Sequence, residues 1–353
     1  MEPCVYSALR GFMMTGRYLP KLWPTVGWLG SLFVVGCTVL PSPTETTSGE
    51  VCAPEITAIA FGISSSESQQ NLKQDWEPFL AVMSEAVGRP VEGVYAADYA
   101  GVIEAMGVGK LQIAWYGGKA YIEAAQRSGA EAFTRTVNTD GTQGYYSHLI
   151  TSHENPMLAE IDVATGNGDT YIVNHASDLT FAFNDLNSTS GYLVPSLYVF
   201  AEKGVDPNKA FRELMFVGSH EATALAAANN QVDVATNNSE TLEMLAQSDP
   251  ETRAKIQVIW TSPIIPTEPI AYHQDLPDCL KERIRAFFYS YEDSEILEPL
   301  GWSGFVPAED TDWNAIRELD IGKQILDVQN DENLDEAAKQ QQIDQLNQQL
   351  EAL

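Results

Sequence analysis

Basic residues are scarce in this chain: Lys and Arg total 20 against 49 Asp and Glu, a formal net charge of −29. A field of that sign repels nucleic acid and anionic membrane surfaces, so neither is an expected partner. An anionic ligand, if one binds, must be held by short-range donors, because the long-range field opposes its capture. Chemistry-bearing motifs are missing too. His148 and His153 enclose no Glu and lack the HExxH pattern of zinc proteases, and no glycine-rich P-loop occurs. No metal-ligand cluster and no grouping of nucleophile, base and orienter stands out, so neither an enzyme nor a bound metal or cofactor is expected. Cysteine is nearly absent. Of four, Cys4 and Cys37 lie in the leader and only Cys52 and Cys279 belong to the folded part. A long apolar run is also lacking, since Leu22 to Gly36 has the length of a signal h-region and is short for a stable membrane span.

What is present is globular. Hydrophobic residues make up 44% and charged residues 20% of 353, enough for a large core and, as a prior, two domains. Arg10, Arg17 and Lys21 precede the apolar run, which stops at Gly36-Cys37. A small residue before Cys at that point resembles the bacterial lipobox, although Val34-Val35 departs from the usual Leu. Residues 1–37 therefore read as a leader, with Cys37 the candidate lipidated residue of a membrane-anchored lipoprotein. An uncleaved anchor and plain secretion are the alternatives. All three place the domain outside the cytoplasm. Residues 38–53 form a Pro/Ser/Thr tether. An exported setting permits a Cys52–Cys279 disulfide.

Ile56 to Gly62 reads as a strand, and Trp76, Phe79, Leu80, Met83 and Val87 as the apolar face of a helix ended by Gly88. Val91 to Tyr95, Asp98 to Met106 and Leu111 to Tyr116 continue as strand, helix and strand. That order predicts an α/β domain with a largely parallel sheet. A second α/β series begins at Leu179. There an apolar strand runs into Asn184-Asp185, then Ser188, Thr189, Ser190 and Gly191, then a helical spacing of Leu193, Leu197 and Phe200. Strand, polar loop and helix N-terminus bring unsatisfied N–H groups and hydroxyls to one place, which serves either as a plain helix cap or as an anion site. The chain crosses between lobes near residues 147–152 and again near 258–266. Residues 54–149 with 262–330 are expected to form the first lobe, 150–261 the second, and 331–353 a C-terminal helix. In that helix Ile343, Leu346, Leu350 and Leu353 make a stripe that docks on the body or pairs two copies in a homodimer.

Seven segments occur in one order: 98–106, 113–117, 144–147, Asn187-Ser-Thr-Ser-Gly-Tyr-Leu-Val-Pro195, Ser219-His-Glu221, Val232-Asp-Val-Ala-Thr-Asn-Asn238 and Ile265-Pro-Thr-Glu-Pro269. Over residues 54–305 the series resembles the periplasmic phosphonate-binding proteins of ABC importers. The resemblance implies the two-lobed type II periplasmic binding fold, with two hinge crossings, and delivery of a phosphonate to a membrane permease. It also implies that Ser188, Thr189, Ser190, His220, Tyr99 and Tyr145 hold the phosphonate oxygens. Glu240, and Glu268 where the family usually has Asp, would hold the amine of an aminoalkylphosphonate. Read by itself, His220 is an ordinary surface or core histidine, the tyrosines are core-edge residues, and each Glu is a solvated charge. Phosphite, methylphosphonate or phosphate in the same scaffold is the alternative ligand, and a sensor domain the alternative role.

Overall fold

The computed structural model describes residues 52–353; the leader with Cys37, and residues 38–51 of the tether, lie outside the described residues. Thirteen strands occur among the described residues. They are β1 (Ile59–Ile63), β2 (Val91–Tyr95), β3 (Ile113–Trp115), β4 (Ala130–Asn138), β5 (Gly144–Tyr145), β6 (Ser147–Ser152) and β7 (Thr180–Phe183), followed by β8 (Glu213–Phe216), β9 (Val234–Asn238), β10 (Ile256–Thr261), β11 (Ile265–Pro266), β12 (Pro269–His273) and β13 (Trp302–Pro307). One lobe has a six-stranded sheet in the order β13-β4-β12-β3-β1-β2, the other a five-stranded sheet in the order β10-β6-β9-β7-β8. The chain passes between them twice. At that junction β5 and β11 pair antiparallel, Tyr145 opposite Ile265.

The first sheet is mixed where a largely parallel one was expected. β1 runs parallel to β2 and β3, but β12 is antiparallel to β3 and β4, and β13 is antiparallel to β4. The cause is the chain's excursion: β12 returns from the second lobe and enters the sheet from the end that β4 had left by, and β13, reached through the Asp278–Phe288 helix of the same lobe, runs in the same direction as β12. Both helical faces are covered. The Gln69–Val87 helix packs Trp76, Phe79 and Met83 against β1 together with Phe287 and Phe288 of the Asp278–Phe288 helix. The Tyr99–Gly107 and Gly118–Arg127 helices cover the opposite face. In the second lobe Phe181, Phe183, Phe200 and Phe211 fill one side, and the small side chains of the His220–Ala228 helix lie close on the other.

A disulfide joins Cys52 to Cys279, at the start of the Asp278–Phe288 helix. The Asn314–Asn330 helix packs on the Gly118–Arg127 helix and also on the Thr189–Lys203 segment of the other lobe, where the Lys323 ammonium lies 5.6 Å from the centre of the Tyr192 ring. The Glu336–Glu351 helix packs on it in turn, burying Leu346 and leaving Leu350 and Leu353 exposed. Among the described residues no helix is long and apolar enough to cross a membrane.

Candidate functional site

Both sheets place a topological switch point at the interlobe cleft. β1 has β2 on one side and β3 on the other, and β7 likewise lies between β8 and β9, so crevices open beyond their carboxyl ends. Helices then start at the cleft in a repeated manner. Asp98 accepts a hydrogen bond from the Gly101 N–H and starts the Tyr99–Gly107 helix, and Ser219 does the same with Ala222 for the His220–Ala228 helix. Asn238 caps the Ser239–Ser248 helix through Thr241, and Gly117 precedes the Gly118–Arg127 helix without a side-chain cap. Tyr99 and His220 are thus the first residues of their helices, held where N–H groups and dipole ends face the gap.

After β7 the helix expected from Leu193, Leu197 and Phe200 is wound as wide π-turns over Thr189–Leu193 and Ser196–Phe200. The Leu193 N–H reaches back five residues to the Ser188 carbonyl. Pro195 between the two turns has no N–H to continue an ordinary ladder, and such wide turns recur at functional sites.

One cavity of about 80 Å³ is lined by all eight residues singled out from the sequence: Tyr99, Tyr145, Ser188, Thr189, Ser190, His220, Glu240 and Glu268. Its lining contains no Lys or Arg. At one end four hydroxyls have lone pairs already occupied by protein donors. Asn184 Nδ2 donates to Tyr99 Oη at 3.4 Å and to Ser188 Oγ at 3.3 Å, and the Gly191 N–H donates to Ser188 Oγ at 3.0 Å. The Lys119 N–H donates to Thr189 Oγ1 at 2.8 Å, and Asn238 Nδ2 to Ser190 Oγ at 3.4 Å. A hydroxyl that accepts from the protein keeps its own O–H for something else. Four such hydroxyls, two of them also within reach of His220 Nε2, face one small space and form a receptor for an anion's oxygens.

His220 Nε2 lies 3.5 Å from Ser188 Oγ and 3.3 Å from Ser190 Oγ. Burial pulls the imidazole down to about 3, so the ring is neutral at ordinary pH. Burial also raises Tyr99 and Tyr145, which stay protonated and able to donate. The receptor is therefore built from neutral donors. Each gives a directional, charge-assisted bond to an anion, with no buried cation to desolvate.

The other end is acidic. Glu268, 6% exposed, stands on the hinge segment, and Glu240 on the opposite lobe's Ser239–Ser248 helix. Burial raises both carboxyls above the usual range, and their mutual repulsion raises Glu240 further. Both carboxyls therefore hold a proton more readily than free ones do. Beyond them the wall is apolar, with Trp76, Trp115 and Trp302 in contact at centroid separations of 5.2–6.1 Å.

Twelve buried side-chain polar atoms lack a hydrogen-bond partner among the described residues, and four line this cavity: Trp115 Nε1, Asn138 Oδ1, His220 Nδ1 and Glu240 Oε1. A buried polar atom without a partner costs about 1–3 kcal/mol, so such clustering marks a place prepared for a ligand. By sequence Trp115 and Tyr116 were only weaker candidates, since strand aromatics most often pack, and Asn138 was not singled out as a ligand residue. The Asn138-Thr-Asp-Gly141 turn signal was the available clue for Asn138, whereas Tyr116, the neighbour of Trp115, is fully buried core outside the cavity.

The lobes are closed on each other. Thr189 and Tyr99 take donors across the gap, the His220 N–H donates to the Ser66 carbonyl at 2.9 Å, and Glu221 accepts from the Ser68 N–H at 2.6 Å and from Asn71 Nδ2 at 3.1 Å. The Gln69–Val87 helix has no acidic residue in its own first turn, so the opposite lobe supplies the anion its N-terminus favours. Glu221→Ala is therefore expected to weaken every ligand by about three- to tenfold, equally with and without an amine, through faster dissociation. Stopped-flow release rates check this, and an effect confined to one ligand would place Glu221 in recognition and not in closure.

This fold and cleft define a two-lobed solute-binding protein. Residues 61–313 match the family described as ABC transporter, phosphonate, periplasmic substrate-binding protein. A "Phosphonates-binding periplasmic protein" of Escherichia coli K12 is 40% identical over 300 residues, 84% of this chain and 86% of that one. A binding-protein component of an ABC phosphonate transporter from Pseudomonas aeruginosa superposes with a TM-score of 0.78 at 42% identity, covering 84% of this chain and 96% of that chain. PhnD1 of Prochlorococcus marinus, solved in complex with methylphosphonate, shares the fold at 18% identity and a TM-score of 0.64, over 74% and 97% of the two chains. The chain belongs to the family of phosphonate periplasmic substrate-binding proteins of ABC transporters. That family consists of transport components, not enzymes.

Proposed function

We propose that this protein captures an aminoalkylphosphonate between its lobes and delivers it to an ABC permease. The observation that carries the reading is the polarity of the cavity, with committed O–H donors at one end and two buried acids at the other. A phosphonate head matches the donors. An ammonium two carbons away matches the acids, whose repulsion it relieves. A cavity of about 80 Å³ offers room for roughly five to eight water-sized groups, the scale of 2-aminoethylphosphonate. Phosphite, methylphosphonate and phosphate satisfy the donors but leave the acids facing each other, which is why they rank second. Lobe closure follows the hinge logic of two crossings joined by the β5–β11 ladder. Export, with lipidation of Cys37 as the anchor, completes the proposal. Calorimetric titration with the four ligands tests it. The expected order has 2-aminoethylphosphonate tightest by at least about a hundredfold, and absence of heat with all four would sink the reading.

A further inference from the structure

The acids do not exhaust the acceptors at the acidic end. Asn138 closes β4 at the edge of the cavity, beside Glu240. Its Nδ2 donates to the Gly144 carbonyl at 3.1 Å and to Thr142 Oγ1 at 3.2 Å. The Gly144 carbonyl, which can only accept, fixes which end of the amide is NH₂. Oδ1 is left as the other end, buried and without a partner, in the same cavity as the unpartnered Glu240 Oε1. The turn that carries it is stiff: the Asn138 N–H donates to the Thr142 carbonyl, the Gly141 N–H donates to the Asn138 carbonyl, and Gly141 adopts a positive φ of 82°.

Resting on the aminoalkylphosphonate reading above, we infer that Asn138 is a specificity-determining residue, its Oδ1 serving with Glu240 and Glu268 as a third acceptor for a primary ammonium. An ammonium of the type –NH₃⁺ has three N–H donors, and acceptors from three different segments line the same cavity. Charge attraction alone would accept any cation of suitable size. A neutral acceptor adds a demand for an N–H in a particular direction. A site with buried acceptors rejects a ligand that lacks the matching donor, because the acceptors are then left unpaired. The pocket therefore selects a primary amine over its trimethylated analogue, although both carry the same charge.

The test compares affinities of the wild type, Asn138→Ala, Asn138→Asp and the double variant Glu240→Gln, Glu268→Gln for 2-aminoethylphosphonate, its N,N,N-trimethyl analogue and ethylphosphonate. In the wild type the primary amine is expected to bind at least about thirtyfold tighter than the trimethyl form. Asn138→Ala is expected to shrink the ratio of amine to ethylphosphonate affinity about tenfold, and to narrow the gap to the trimethyl analogue. An unchanged ratio overturns the inference, whatever happens to the absolute affinities. Should the alanine variant fail to fold, Asn138→Asp decides, since it keeps an acceptor oxygen in place. It must retain the amine preference, and its loss overturns the inference. The acid-substituted protein separates the two levels. If it keeps the wild-type amine preference, the acidic end itself was misread. If it loses that preference while Asn138→Ala does not, Asn138 alone was misassigned.

Discussion

Replacing both Glu240 and Glu268 by glutamine is expected to lower affinity for 2-aminoethylphosphonate by about a thousandfold and to leave methylphosphonate binding unchanged or improved. Each carboxylate offers the ammonium a charge-assisted bond worth about 1.5–3 kcal/mol, and two such losses combine to roughly that factor. Methylphosphonate makes neither bond. For it the two acids are only an unfavourable pair that closure buries, and neutral amides relieve the repulsion. Protons report the same pair. Burial raises both carboxyls, so the empty wild-type site retains protons that an ionised pair would lack. An arriving ammonium favours the ionised forms and expels them, so affinity for the amine climbs with pH through the raised range. Stability of the unliganded protein moves the opposite way. The folded state binds more protons than the unfolded chain above the ordinary carboxylate range, so unfolding free energy falls as pH rises from about 4.5. The glutamine pair should flatten both trends. Glu67 remains as a second titrating group at the cleft mouth, pushed up to about 7 by burial and then by Asp75 and Glu221. A steep dependence surviving in the double variant would shift the assignment to Glu67.

Thr189→Val is expected to reduce affinity for every phosphorus oxyanion by about a hundredfold, with little change in melting temperature without ligand. Valine matches threonine in shape and removes only the hydroxyl. That hydroxyl has two partners, accepting from the Lys119 N–H across the cleft and keeping its O–H for the ligand. Loss of one charge-assisted donor costs about 1.5–3 kcal/mol, and loss of the interlobe bond about 1 kcal/mol more. Equal weakening of 2-aminoethylphosphonate and methylphosphonate separates this end from the acidic one. A loss limited to the amine ligand, or none, would contradict the assignment of Thr189 to the oxyanion.

The two ends were legible in the sequence to different degrees. Ser188, Thr189 and Ser190 announce themselves because strand, cap and helix start are short-range events, written in neighbouring residues. Tyr99, Tyr145, Glu240 and Glu268 carry no local mark and were reached only through the family's pattern. Asn138 left only a turn signal, and the Lys119 N–H was out of reach, because its role arises from a contact across the fold: Thr189 meets a backbone group seventy residues away. β4 escaped for a different reason. Its Thr134 and Thr136 are fully buried yet polar, so the apolar signal of a central strand is absent. The Thr134 hydroxyl satisfies itself on the Val306 carbonyl of the adjacent β13. The parallel order predicted for the first sheet failed because strand direction depends on where the chain re-enters, and no local pattern encodes that.

The Cys52–Cys279 bond gives the first described residues a second tie to one half of the molecule. A pull applied at Cys52 would run along the backbone into β1 and through sulfur into the Asp278–Phe288 helix, and both routes end in the six-stranded sheet. The half built on β6–β10 lies on neither route, so its swing stays free of such a load.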